Sequence, residues 1–130
     1  MTAGPDAMRL MDKAVQACSS ARLLLNHGDR DGACNRAYYA MFDAGCAVLA
    51  KFLPHEKHGK SHAGVINAFS LHFVKTGLVG KDLGRSLKRA EEMRLIADYR
   101  GGVLDSKDVE IIIDRAEYFI ETLRGNFFLE

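Results

Sequence analysis

The chain has 130 residues, of which 48% are hydrophobic and 27% charged, the size and balance of one globular domain (residues 1–130) with a real core. A formal net charge of +1 excludes a polycation that grips nucleic acid over its whole surface. Any phosphate contact has to come from a local group of Arg and Lys.

The three cysteines, Cys18, Cys34 and Cys46, match no zinc or redox spacing and read as reduced, apolar core thiols. No metal site and no cofactor are expected. The first ten residues lack the apolar run of a secretory signal, and the longest apolar stretch, residues 44–50, is far too short for a membrane span. A cytoplasmic location is the expectation.

Five segments show helical periodicity. The first covers residues 6–26, with Ala7, Leu10, Met11, Ala14, Ala17, Cys18, Ala21, Leu24 and Leu25 at steps of three and four, Asp6 as N-cap and Gly28 as C′ residue. The second covers residues 29–52, and its apolar face (Ala33, Ala37, Ala40, Met41, Ala44, Val48) is built of small side chains that let a neighbour approach closely. Pro54 ends it, and the polar run 55–60 reads as a loop. Ser61 caps a third helix to about residue 76, with Val65, Ile66, Phe69 and Phe73 inward. A fourth helix spans residues 81–99 and stops at Gly101-Gly102; a fifth runs from about 106 to 127. No window reads as a strand. The pattern predicts an all-α, antiparallel up-down helical bundle of about five helices with one irregular corner. Phe127 and Phe128 would leave an apolar stripe near the C-terminus for a partner.

Three places carry candidate chemistry. Arg36 and Tyr39 lie three apart and share a helix face. Arg36 is either a partly buried cation satisfied by a carboxylate or an anion holder, because the guanidinium fork matches phosphate oxygens. Arg94 and Asp98 lie four apart, which fits an ordinary ion pair or an acid–base pair beside a phosphate-binding arginine. His62 follows the cap Ser61; there it could hold a phosphate, move a proton, or only bond a turn. His55 and His58 sit in the charged loop and read as solvated.

The string Asn35-Arg36-Ala37-Tyr38-Tyr39-Ala40-Met41-Phe42 resembles a signature of the HEPN-domain family, in particular its small stand-alone branch. Ser61-His62-Ala63-Gly64, then Phe69, then Phe73-Val74-Lys75-Thr76-Gly77, is similar to a second piece, and Arg94 with Ala97-Asp98-Tyr99 to a third, all in the family's order. The resemblance implies a helical-bundle homodimer, often paired with a nucleotidyltransferase antitoxin. Its active members are metal-independent endoribonucleases with an Arg followed four to six positions later by a His. In this chain those positions beyond Arg94 are Asp98, Tyr99 and Arg100, so the family's histidine is missing. A carboxylate serves as a base only where its surroundings raise its pKa. Three readings follow from the resemblance. The protein binds a nucleotide or RNA phosphate in a cleft lined by Arg36, Tyr39, His62, Arg94, Asp98 and Tyr99, with Arg36 and Arg94 as anion holders; it is a metal-independent ribonuclease toxin with the same residues in catalytic roles, Arg94, Asp98 and Tyr99 first among them and Asp98 or His62 as the substitute base; or it is an interaction module without a ligand. Tyr99 is, by the same resemblance, a hydroxyl that a partner nucleotidyltransferase could modify.

Overall fold

The computed structural model describes residues 5–54, 61–99, 101 and 103–129. His55, His58, Arg100 and Gly102 lie outside the described residues. Five α-helices follow in order: α1 (Pro5–Asn26), α2 (Arg30–Phe52), α3 (His62–Phe69), α4 (Lys81–Tyr99) and α5 (Ser106–Phe127), with a π-helical turn, Ser70–Val74, continuing α3. No strand occurs among the described residues, as the periodicity predicts.

The α1–α2 hairpin turns on Gly28, whose φ of +93° places it in the left-handed region. Gly28 N–H donates to the Leu25 carbonyl (3.0 Å) and Asp29 N–H to that of Leu24 (2.9 Å), the paired bonds of a Schellman end. Asp29 then caps α2, its carboxylate accepting from Gly32 N–H at 2.8 Å. Both ends of the turn are thus satisfied within three residues, which forces α1 and α2 to run antiparallel. Asp6 is not the N-cap of α1. Pro5 is already helical, so Asp6 falls in the first turn, where its charge still complements the helix dipole.

The small-residue face of α2 is wholly enclosed: Ala33, Ala37, Ala40, Met41, Ala44 and Val48 are each at 0% exposure. This makes α2 the axis of the bundle, touching α1, α3, α4 and α5. Helix α5 contributes Val109, Ile112, Ile113, Ala116, Phe119, Ile120 and Leu123 to the same core. Arg22 of α1 locks this arrangement outside, bonding Asp114 and Glu117 of α5 at 2.7 Å each.

The third helix is shorter than its periodicity predicts. After Phe69 the backbone widens by one residue per turn, and Lys75 N–H reaches the Ser70 carbonyl at 2.8 Å. Ser61 does cap α3, accepting from Gly64 N–H at 3.0 Å, and Phe69 and Phe73 are both buried and stacked at 5.5 Å. The C-terminal rings do not form an open stripe. Phe127 packs edge-on against Phe52 (5.4 Å) and Phe73 (5.6 Å), and Lys51 bonds the Phe127 carbonyl while its ammonium sits 4.9 Å over the Phe128 ring. Among the described residues no helix is long and apolar enough to cross a membrane.

Candidate functional site

Helix α2 places Asn35, Arg36, Tyr38, Tyr39 and Phe42 over two turns, and α3 and α4 lie against it. The Tyr38 ring points into the core at 0% exposure, while Tyr39 and Phe42, one and four residues on, are half-buried at its edge. His62, the first residue of α3, packs onto this aromatic edge. Its ring centre is 4.6 Å from Phe42 and 5.6 Å from both Tyr38 and Tyr39, stacked on the first two and edge-on to the third. A 2.7 Å hydrogen bond joins the Tyr38 hydroxyl to His62 Nδ1.

From α4, Arg94 reaches the same cluster. It is 8% exposed, and its guanidinium carbon lies 4.7 Å from the Tyr38 ring centre and 5.9 Å from that of Tyr39. Arg94 also meets Asp98 Oδ2 at 3.3 Å, so the ion pair four residues apart does form. Its Nε, fully enclosed, has no hydrogen-bond partner among the described residues. Burial works against the Arg94 charge, but the Tyr39, Tyr38 and Tyr99 phenols and the Asp98 carboxylate more than offset it, and its pKa stands above the ordinary value.

Arg36 approaches from the other neighbour of Tyr39, its guanidinium carbon 5.2 Å from that ring centre. Its hydrogen bonds among the described residues go to the neutral Asn35 Oδ1, at 3.1 and 3.3 Å, and none of these goes to a carboxylate. Asp43, seven residues further along α2, lies in the field of Lys13 and Arg36. Burial raises its pKa, and the two cations pull it back in part.

The structure thus brings Arg36, Tyr39, His62 and Arg94 into one cluster, with Asp98 attached through Arg94. Tyr99 extends into solvent at 75% exposure. Sequence reasoning missed Tyr38, the ring that joins His62 to Arg94. The adjacent tyrosines gave the only available signal. A helix turns 100° per residue, so one of the pair has to face the core, but its partner on α3 is 24 positions away and has no local signature.

The geometry defines an all-α bundle with an enclosed arginine seated on an aromatic cluster between three helices. The chain belongs to the HEPN family, whose domain model matches residues 7–126. It is similar to a UPF0332 protein of Gloeobacter violaceus (33% identity over 119 residues, 90% of this chain and 92% of the relative). A UPF0332 protein of Thermotoga maritima is 37% identical over 113 residues, 85% of this chain and 83% of that one. A Methanocaldococcus jannaschii protein named "Putative toxin" is 33% identical over 115 residues, covering 88% of this chain and 84% of its own.

Proposed function

We propose that this protein binds the phosphate of a nucleotide or RNA at the Arg36–Tyr39–Arg94 cluster and serves as the toxin half of a toxin–antitoxin pair. The observation that carries this reading is the approach of two guanidinium groups, from α2 and α4, to one tyrosine ring, at 5.2 and 5.9 Å. Two like charges brought to one neutral ring, with Arg94–Asp98 the one carboxylate contact they make among the described residues, favour an anion that shares both forks. The aromatic rings beside them suit a nucleobase, which every stacking platform of this kind tolerates without reading sequence. The toxin role rests on the names of the relatives. A homodimer and a nucleotidyltransferase antitoxin belong to the same family-based proposal, with Tyr99, exposed beside Arg94, as the hydroxyl such a partner would reach.

Calorimetric titration with AMP and with a short single-stranded RNA tests the site. Arg36→Ala and Arg94→Lys should each weaken binding about tenfold or more, the loss expected for one charge-assisted contact. Binding unaffected by both changes would leave a helical interaction module without a ligand. Expression toxicity abolished by Arg94→Ala is the expected result for the toxin role.

A second reading, a metal-independent ribonuclease, is favoured by one contact: His62 supplies an imidazole to the Arg94 cluster from α3 instead of from α4. Cleavage that resists a chelator and is lost in His62→Ala would select it; loss in Asp98→Asn would assign the base to Asp98.

A further inference from the structure

We infer that Tyr38 is a positioning residue that fixes the tautomer of His62. The Tyr38 hydroxyl donates to Nδ1, so the neutral imidazole carries its proton on Nε2 and presents that nitrogen as a hydrogen-bond donor. The role of that donor toward a phosphate oxygen rests on the function proposed above; the tautomer does not.

A phenol has one proton to give, and Tyr38 is fully enclosed. The one hydrogen bond its oxygen makes among the described residues is the 2.7 Å contact to His62 Nδ1. Were Nδ1 the donor, the Tyr38 O–H would be left in the core without an acceptor, which buried donors avoid. Desolvation also pushes the Tyr38 phenol well above its ordinary range, so the proton is present at neutral pH. Phe42, Tyr38 and Tyr39 surround the imidazole at 4.6 to 5.6 Å and restrict its rotation. Among the described residues the one hydrogen bond of His62's ring is at Nδ1, and Nε2 makes none. The consequence is chemical. A nitrogen that already holds a proton can donate to a phosphate oxygen but cannot take the proton of an attacking 2′-hydroxyl. The clamp therefore favours holding a phosphate over cutting beside it.

Long-range proton–nitrogen correlation spectra of the full-length, nitrogen-15-labelled protein at pH 8 read the tautomer directly. The wild type should show His62 in the Nε2–H form, and Tyr38→Phe should show a mixture, with AMP affinity lowered about three- to tenfold. An Nδ1–H ring in the wild type, which needs no variant to observe, would overturn the inference. So would an unchanged tautomer in Tyr38→Phe. If the wild type has the stated tautomer but AMP shifts neither His62 nor Arg94 signals, the phosphate-site proposal and the donor role fall while the clamp itself holds.

Discussion

Arg94 and Tyr38 meet across the α2–α4 contact with the guanidinium carbon 4.7 Å from the ring centre, and neither side chain is open to bulk water. A cation enclosed in this way has to be compensated, and here the compensation is largely aromatic. The tyrosine faces offer negative potential without consuming the N–H donors in conventional hydrogen bonds. The same contact carries the consequence of altering Arg94. Arg94→Ala removes the cation–π contacts and the packed stem, and should destabilise the fold by about 2–3 kcal/mol in urea unfolding. Arg94→Lys keeps the charge but not the planar fork, and should cost about 1 kcal/mol while still weakening AMP binding. Equal stability for all three proteins would refute the packing role.

Asp98 is predicted to compete with the ligand. Its contact to Arg94 spans 3.3 Å, with the carboxylate side chain 30% exposed against 9% for the arginine. Pairs that reach solvent contribute little, so Asp98→Asn should change unfolding free energy by less than about 1 kcal/mol. Freed of its carboxylate, Arg94 should bind AMP more tightly, by about two- to fivefold. A loss of affinity in the same titration would show that Asp98 supports the ligand and does not screen Arg94 from it.

Alkaline pH should destabilise the protein through its three thiols. Burial pushes the thiol of Cys18 up to about 11 and those of Cys34 and Cys46 up to about 12, from an ordinary 9.0. Each folded-state value is raised, so the unfolded chain releases these protons first. The stability they contribute is complete below pH 9 and is lost as pH rises toward the folded values, at no more than about 1.4 kcal/mol per pH unit per thiol. Melting temperature measured from pH 8 to 11 should hold level to about pH 9 and then fall, and Cys34→Ala should reduce the slope of the fall. A flat profile would mean that the thiols are reachable by water in the folded state.

Two helical glycines should respond differently to alanine. At Gly45 in α2 an added Cβ would meet the Phe69 ring at 3.7 Å, ordinary contact, so Gly45→Ala should stabilise by about 0.5–1 kcal/mol through reduced chain entropy. At Gly84 in α4 the Cβ would lie 3.3 Å from Val74 in the π-helical turn, close enough that the turn has to give. Gly84→Ala should therefore gain less than Gly45→Ala or lose stability outright. Denaturant midpoints for the two variants settle the order.

The sequence by itself determined the five helices and most of their ends. Periodicity, the Gly28 turn, the Ser61 cap and the stop at Gly101 are local signals, each acting within one or two turns of chain. It also brought Arg36, Tyr39, His62 and Arg94 forward as candidates, because a charged or titratable group beside an apolar stripe stands out in one dimension. The contacts within one helix, Arg36–Tyr39 and Arg94–Asp98, were legible from spacing; tertiary structure alone decided what these groups touch on other helices. The Tyr38–His62 bond, the Arg94–Tyr38 contact and the seat of Phe127 on Phe52 and Phe73 all join residues on different helices. Their partners are chosen by how α2 is enclosed and by where the chain widens after Phe69. Helical propensity is written residue by residue; the register between packed helices is a property of the whole core, and it is that register which places a phenol against an imidazole.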